Sequence, residues 1–214
     1  MKTVALMQPY FFPYGGYWRL LARADEFVIY DDVQFRKGGR IHRTQVPDDT
    51  GVLHWLTLPL ARQPLGTRIR DRAFAENARQ LFDERLRRFE WIASAAGPSA
   101  ARIRAYLHAP LDSPVDYLEG GLRLVADILG LRCTISRSSA LDVDPSLPGQ
   151  ARVVALARAA GATRYLNAPG GRDLYDPAAF ERQGVELAFL PTYEGPHVYM
   201  LRDLMTLSAG EIAL

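Results

Sequence analysis

The 214-residue sequence lacks the features that mark several specialised classes of protein. It has one cysteine, Cys133, which excludes an internal disulfide framework. Cys133 lies in a predicted buried strand, and this position favours inert packing over a nucleophilic role. The net charge is only +2, which argues against a dedicated nucleic-acid-binding protein. The many arginines still leave room for an anionic substrate.

Long hydrophobic runs, internal repeats and low-complexity tracts are also missing. No apolar run reaches the length that spans a membrane, and the amino terminus becomes polar and aromatic too early for a signal peptide. No spacing of histidine and aspartate typical of metal ligands is present. We therefore expect a cytoplasmic protein without membrane contact, nucleic-acid partner or metal.

The composition that remains is that of a globular protein, with 48% hydrophobic and 23% charged residues. A chain of this length can bury a full core. We interpret residues 1–214 as a single α/β domain with a helical insert at about 74–130.

Strands and helices alternate along most of the sequence. Apolar periodicity predicts strands at about 3–7, 27–31, 54–58, 133–136, 164–166 and 186–190. It predicts helices at about 16–24, 75–91, 98–108, 114–129, 149–160 and 177–183. Ser113 and Pro114 begin the fourth of these helices with an N-cap and a first-turn proline. Repeated βα units with short connections predict an α/β fold: a mainly parallel sheet with helices on both faces and a Rossmann-like beginning.

The loop after the first predicted strand is unusually aromatic. Residues 9–17 contain five aromatic residues and two prolines, and Gln8 adds a polar amide. Open α/β sheets bind ligands at the carboxyl ends of their strands, and glycine lets a backbone turn or a ligand come close. We therefore predict a binding site that includes Gln8, Tyr10, Tyr14 and Gly16. For each aromatic residue taken singly, core packing is an equal alternative.

Two adjacent acids, Asp31 and Asp32, follow the second predicted strand and are the strongest candidates for catalysis. Side chains alternate along a strand, so both acids enter one pocket only if the strand has already ended. A carboxylate here could hold a substrate ammonium and accept its proton as the amine becomes a nucleophile. The alternative is structural, with the acids capping the loop 33–40 or pairing with Arg43.

A basic, glycine-containing segment follows at 34–43. Arg43 offers a bidentate fork for phosphate or carboxylate, and Lys37 offers a mobile point charge. We predict that Gln34, Lys37 and Arg43 contact the substrate. Further along the chain, Gly170 and Gly171 directly follow a predicted strand and are expected to bind part of the ligand on the same rim, with a tight turn as the alternative.

These motifs, taken in order, resemble the WbqC-like family of bacterial proteins. The most specific block is MQPYFFPYxGY at 7–17, followed by YDDVQF at 30–35 with Lys37 and Arg43, and by WxTxP at 55–59. Weaker matches continue to about residue 190. Members of that family occur with genes for O-antigen, amino-sugar and specialised-metabolite biosynthesis, and a transferase role has been inferred for them.

The opening unit is more loosely similar to class I nucleotidyltransferases and synthetases, whose first strand leads into a His-x-Gly-His turn. The corresponding tetrad here is YGGY at 14–17, without either imidazole. A tyrosine, with a pKa near 10, can donate a hydrogen bond to a phosphate but is not a cation at neutral pH. This likeness makes Tyr17 a catalytic candidate, and Ser138 lies where those enzymes have a serine-rich phosphate loop.

The resemblance implies a transferase that moves an acyl or aminoacyl group onto the amine of an amino sugar or small metabolite. Asp31 or Asp32 would receive the amine, while Lys37 and Arg43 would hold the anionic donor. That donor could be a coenzyme A thioester or the thioester of an acyl or peptidyl carrier protein. Two alternatives stay open: a nucleotide-using ligase or nucleotidyltransferase-like enzyme, and a non-catalytic binding protein on the same scaffold.

Overall fold

The computed structural model describes residues 1–212 and 214 and is built on a parallel β-sheet. Its strands are β1 (Thr3–Met7), β2 (Glu26–Ile29), β3 (Arg43–Pro47), β4 (Leu53–Thr57), β5 (Thr134–Arg137), β6 (Arg164–Asn167) and β7 (Glu186–Phe189). Its helices are α1 (Gly15–Arg23), α2 (Ala78–Leu86), α3 (Trp91–Ser94), α4 (Ala100–Leu107), α5 (Pro114–Ile128), α6 (Gly149–Ala159), α7 (Pro177–Glu181) and α8 (Met200–Thr206). The predicted α/β fold is confirmed.

Five strands form the main sheet in the order β5-β2-β1-β6-β7, and all neighbouring pairs are parallel. Strand β1 is apolar at nearly every position because both of its faces are covered. Ala5 belongs to a core that also contains residues of α1, α5 and α8, whereas Val4 and Leu6 belong to a second core with residues of α6 and α7. The sheet thus has helices on both faces, as predicted.

The direction of winding reverses at the centre of the sheet. The chain passes from β1 to β2 on one side and later returns to place β6 on the other side of β1. In open parallel sheets, ligands bind outside the carboxyl ends of the strands at such a reversal. The segments that follow β1, β2 and β6 are therefore where a ligand is expected to bind.

Strands β3 and β4 form a separate antiparallel hairpin. The predicted strand at 54–58 is present, but it does not join the parallel sheet. Strand β3 was missed because its first residue was interpreted as the end of a basic loop. The alternation of buried Thr44 and Val46 in β3, opposite buried Leu56 in β4, gives the hairpin one face in the core.

Helices α2 to α5 lie between β4 and β5, and the interpretation of this stretch as an insert stays a prediction. The single helix predicted at 75–91 is divided, because the carboxylate of Asp49 accepts hydrogen bonds from the backbone N–H groups of Glu90 and Trp91 and starts a new helix there. The predicted cap of α5 is present, with Ser113 accepting from the N–H of Asp116. Among the described residues, no helix has the length and apolar character needed to cross a membrane.

Candidate active site at the carboxyl edge of the sheet

The carboxyl ends of the parallel strands bring several of the predicted residues to one edge. The segments after β1, β2, β5 and β6 carry Gln8, Tyr10, Asp31, Asp32, Ser138, Gly170 and Gly171. Strand β2 ends at Ile29, before the two acids, so the condition that would let both carboxylates reach the same place is met. Gln34, Lys37 and Arg43 instead lie on the way to the hairpin and within it.

Asp31 is completely buried and surrounded by protein donors. Its carboxylate accepts hydrogen bonds from the Ser139 hydroxyl at 2.6 Å, from the Ser139 backbone N–H at 3.0 Å and from the Ser138 hydroxyl at 3.0 Å. These contacts join the end of β2 to the end of β5. The predicted carboxylate that faces a ligand therefore lies in the interior, at 0% exposure.

Asp32 forms an ion pair with Arg152 of α6, and the two side chains are only 6% and 7% exposed. The hydroxyl of Ser138 lies 2.6 Å from the Asp32 carboxylate and also reaches Asp31, so one serine hydroxyl links both acids. Arg152 donates a further hydrogen bond to the carbonyl of Asp144 at 2.6 Å. The alternative prediction was that the acids pair with Arg43. The cation that pairs with Asp32 is instead Arg152.

Two half-buried tyrosines and a buried amide lie at the same edge: Tyr30 is close to Asp32, Arg152 and Tyr175, and Tyr175 is close to Asn167. Burial raises the pKa of Tyr30, while the positive charge of Arg152 works in the opposite direction. Burial likewise raises the pKa of Tyr175, and the neighbouring Tyr165 and Asn167 work in the opposite direction. Both phenols are therefore neutral near pH 7 and can donate or accept hydrogen bonds.

Gln8 lies between these groups, because β1 separates β2 from β6 in the sheet. Its side chain is half-buried. The carboxyl ends of three neighbouring strands thus carry tyrosine and amide side chains and a buried charge pair. This combination of donors and acceptors suits the recognition of a polar small molecule. Among residues 1–212 and 214, no cluster of His, Cys, Asp or Glu is suited to hold a metal ion.

The two glycines after β6 have different environments, within a short 3₁₀-helical segment at Pro169–Leu174. A Cβ atom at Gly171 would lie 2.4 Å from Nδ2 of Asn167, so this position must be glycine for the amide to pack as it does. A Cβ atom at Gly170 would meet open space. Gly170 is therefore the one of the pair that a ligand can approach.

The aromatic loop is largely part of the core. Phe11, Phe12 and Tyr17 are buried, and the Tyr17 hydroxyl donates to the carbonyl of Gln8 at 2.9 Å. Burial raises the pKa of Tyr17 well above its ordinary value. Tyr10 is half-buried, and its ring centroid lies 5.4 Å from that of Tyr17. Tyr17 thus uses its hydroxyl on the backbone of the protein.

The amino terminus of α1 is covered by a later segment of the chain. The N–H of Gly15 donates to the carbonyl of His197 at 2.7 Å. A Cβ atom at Gly16 would lie 2.3 Å from the ring of Tyr14 and 2.8 Å from the Cβ atom of Tyr193. The glycines were predicted to let a ligand come close to the backbone. The group that lies close to them is the side chain of Tyr193.

Arg43 is engaged within its own loop. Its Nε donates to the carbonyl of Gly39 at 3.1 Å, a second guanidinium nitrogen donates to the carbonyl of Gly38, and the guanidinium lies 4.1 Å from the centre of the Trp55 ring. Gln34 donates to the carbonyl of Leu65 at 2.7 Å. These contacts hold the loop in place, and the predicted substrate contacts of both residues stay predictions.

Sequence reasoning missed four polar residues of this edge. Tyr30 had no role beyond its place in the YDDVQF block, and no role was predicted for Asn167 or Tyr175. Arg152 had one available signal, because it stands in an otherwise apolar stretch of α6 and a buried arginine needs a counter-charge. Nothing local identifies Asp32 as that counter-charge.

Comparison with known proteins identifies the family of this chain. The sequence profile of the WbqC-like protein family matches residues 8–200, which is most of the chain. The uncharacterized protein Rv1507c of Mycobacterium tuberculosis is 27% identical over 211 residues, covering 93% of this chain and 86% of that protein. No solved structure matches the chain. The chain belongs to the WbqC-like protein family.

Proposed function

We propose that this protein is a biosynthetic transferase that moves an acyl or aminoacyl group onto the amine of an amino sugar or a related small metabolite. The proposal is carried by the polar groups that follow the strands at the winding reversal: Gln8, Asn167, Tyr175 and Tyr30, of which Tyr30 is close to the buried pair of Asp32 and Arg152. Ligands of open parallel sheets bind at this place. The genes beside which members of the family occur also support a biosynthetic role.

The transfer would form a C–N bond between the acceptor amine and the acyl carbon. It would break the C–S bond of a thioester donor, and the proton lost by the amine would end on the released thiol. The donor would be a coenzyme A thioester or a loaded acyl or peptidyl carrier protein. The neutral hydroxyl of Tyr30 suits hydrogen bonding to the charge that develops on the acyl oxygen.

The two acids have an indirect role in this proposal. Asp31 and Asp32 already accept hydrogen bonds from Ser138, Ser139 and Arg152, so they position the segments that carry Tyr30 and Ser138. The amine would then be held by neutral acceptors such as the amide oxygen of Gln8. The earlier expectation of direct amine binding by a carboxylate is replaced by a positioning role for both acids.

One observation favours acyl transfer over the nucleotidyltransferase alternative. In nucleotide-using relatives of such folds, the phosphate would approach the turn at 14–17 and the amino terminus of α1. Here the carbonyl of His197 and the ring of Tyr193 occupy that approach.

The direct test is an assay for product. Purified protein is incubated with amino sugars and with coenzyme A or carrier-protein thioesters, and mass spectrometry follows the N-acylated product and the free thiol. Product formation without ATP supports the proposal. Product only with ATP would identify a ligase instead, and binding of substrates without any turnover would identify a non-catalytic binding protein.

Replacing Tyr30 with phenylalanine should lower kcat by about 10- to 100-fold, because a hydrogen bond to a developing charge is lost. The free energy of unfolding should change by only about 1 kcal/mol. The matched control is Tyr106→Phe, which removes a hydroxyl that donates to the carbonyl of Tyr117 between α4 and α5. Steady-state kinetics should separate the two variants, and equal turnover in both would exclude Tyr30 from the reaction.

A further inference from the structure

A second concave region lies away from the carboxyl edge. It is a cleft of about 570 Å³ between the loop before β3, the segment that follows β4, and helix α2. Its walls include Phe35, Lys37, His42, residues 57–65, Arg72 and Arg85. The volume suits one small-molecule ligand.

The charged side chains that line the cleft are all positive. Lys37, Arg62, Arg72 and Arg85 contribute to its walls, and no aspartate or glutamate does. Within residues 1–212 and 214, none of these four cations forms an ion pair with a carboxylate. A concave surface with four uncompensated positive charges attracts anions and concentrates them.

Two of the arginines are held in place by the backbone of the cleft. Arg72 donates to the carbonyl of Ala61 at 2.6 Å, and its guanidinium lies 4.8 Å from the centre of the Phe35 ring. Arg85 donates to the carbonyl of Thr57 at 2.6 Å. Each guanidinium keeps further N–H donors after these contacts, so the donors are fixed before a ligand arrives.

Two buried nitrogen atoms on these walls have no hydrogen-bond partner among the described residues: Nε of Arg72 and Nδ1 of His42. Buried polar atoms are almost always paired, so two such atoms in one cleft call for an explanation. Burial lowers the pKa of His42 to about 4, and Arg43, Arg72 and Arg85 add to this effect. The imidazole is therefore neutral at pH 7 and can donate from Nδ1 in one tautomer.

We propose that this cleft binds a small molecule bearing a diphosphate group. The phosphate oxygens would accept hydrogen bonds from the remaining N–H donors of Arg72 and Arg85 beside His42, with Lys37 and Arg62 closing over them at the exposed side. The apolar walls formed by Phe35, Leu60 and Pro64 would contact the rest of the molecule. The proposal does not rest on the transfer reaction proposed above, because binding is measured without turnover.

The cleft is connected to the carboxyl edge through the backbone. The N–H of Arg70 donates to the carbonyl of Asp31 at 2.8 Å, and the N–H of Phe35 donates to the carbonyl of Thr67 at 2.9 Å. The segment that follows β2 therefore contributes to both the cleft and the carboxyl edge of the sheet. A diphosphate ligand in the cleft would contact the same stretch of chain that carries the two acids.

Calorimetric titration at fixed salt tests the proposal, with inorganic pyrophosphate, a nucleoside diphosphate and coenzyme A as probes. The variant Lys37→Gln/Arg62→Gln removes two exposed cations of the cleft that make no hydrogen bond to other described residues. We expect its affinity for all three probes to fall by about 10- to 100-fold. The control Arg36→Gln/Arg87→Gln removes the same charge from exposed positions outside the cleft and should bind like the wild type.

A second readout identifies the place of binding. Pyrophosphate should raise the pKa of His42 from about 4, because an adjacent anion favours the charged imidazolium. An NMR titration should detect this change in the wild type and not in Lys37→Gln/Arg62→Gln, with the exposed His108 as an internal reference. A preference for coenzyme A or for the nucleotide over pyrophosphate would identify the source of the diphosphate. Equal affinity of both double variants, or absence of binding by all three probes, would overturn the proposal.

Discussion

Replacing Arg152 with methionine is expected to lower the free energy of unfolding by about 3 to 5 kcal/mol. The change leaves the Asp32 carboxylate buried at 6% exposure without its counter-charge. It also removes the hydrogen bond to the carbonyl of Asp144. Denaturation by urea, followed by circular dichroism, measures the loss.

The matched control is Arg158→Met in the same helix. Arg158 is exposed and donates only to the carbonyl of Gln183, so we expect a cost below about 1 kcal/mol. The double variant Asp32→Asn/Arg152→Met should recover part of the stability, since it removes both buried charges together. Equal costs for Arg152→Met and Arg158→Met would contradict the role of the ion pair.

Replacing Asp31 with alanine is expected to cost about 2 to 4 kcal/mol, because three donors lose this acceptor and only the hydroxyl of Ser138 still has a second carboxylate, that of Asp32, within reach. The donors are the hydroxyls of Ser138 and Ser139 and the N–H of Ser139. Asp31→Asn should cost less, since it keeps the shape and one oxygen acceptor. Chemical denaturation compares both with Asp173→Ala, a change at an exposed acid.

The same series separates a structural Asp31 from a catalytic one. If Asp31 ties β2 to β5, activity should fall in parallel with the folded fraction, and it should return at lower temperature. A folded Asp31→Ala protein with the stability of the wild type and no turnover would restore the direct catalytic role that the sequence suggested.

Local patterns in the sequence determined most of the secondary structure. The apolar run of β1 and the N-cap and proline of α5 each act over a few residues, so their effect can be predicted without knowledge of the fold. The alternation of βα units also predicted the parallel sheet. Parallel strands share one carboxyl edge, so the sequence could place Gln8, the two acids, Ser138 and the glycines after β6 at the same edge.

The strand β3 and the division of the helix at 75–91 were not predicted. Strand β3 exists because β4 pairs with it, and α3 begins because Asp49 accepts from its first N–H groups. Strand β4 is close in sequence and was predicted, so β3 was missed only because Arg43 was assigned to a basic loop, whereas Asp49 stands 41 positions before Glu90. A local pattern is uninformative where a distant partner decides the conformation.

The partners of the polar residues were decided only by the tertiary structure. Ser138 stands 107 positions after Asp31, and Arg152 stands 120 positions after Asp32. An acid that binds a substrate and an acid that binds a buried serine have the same sequence pattern, because each is simply an acidic residue directly after a strand. The fold supplies the donors, and their desolvated environment determines whether such a group binds a ligand or stabilises the protein.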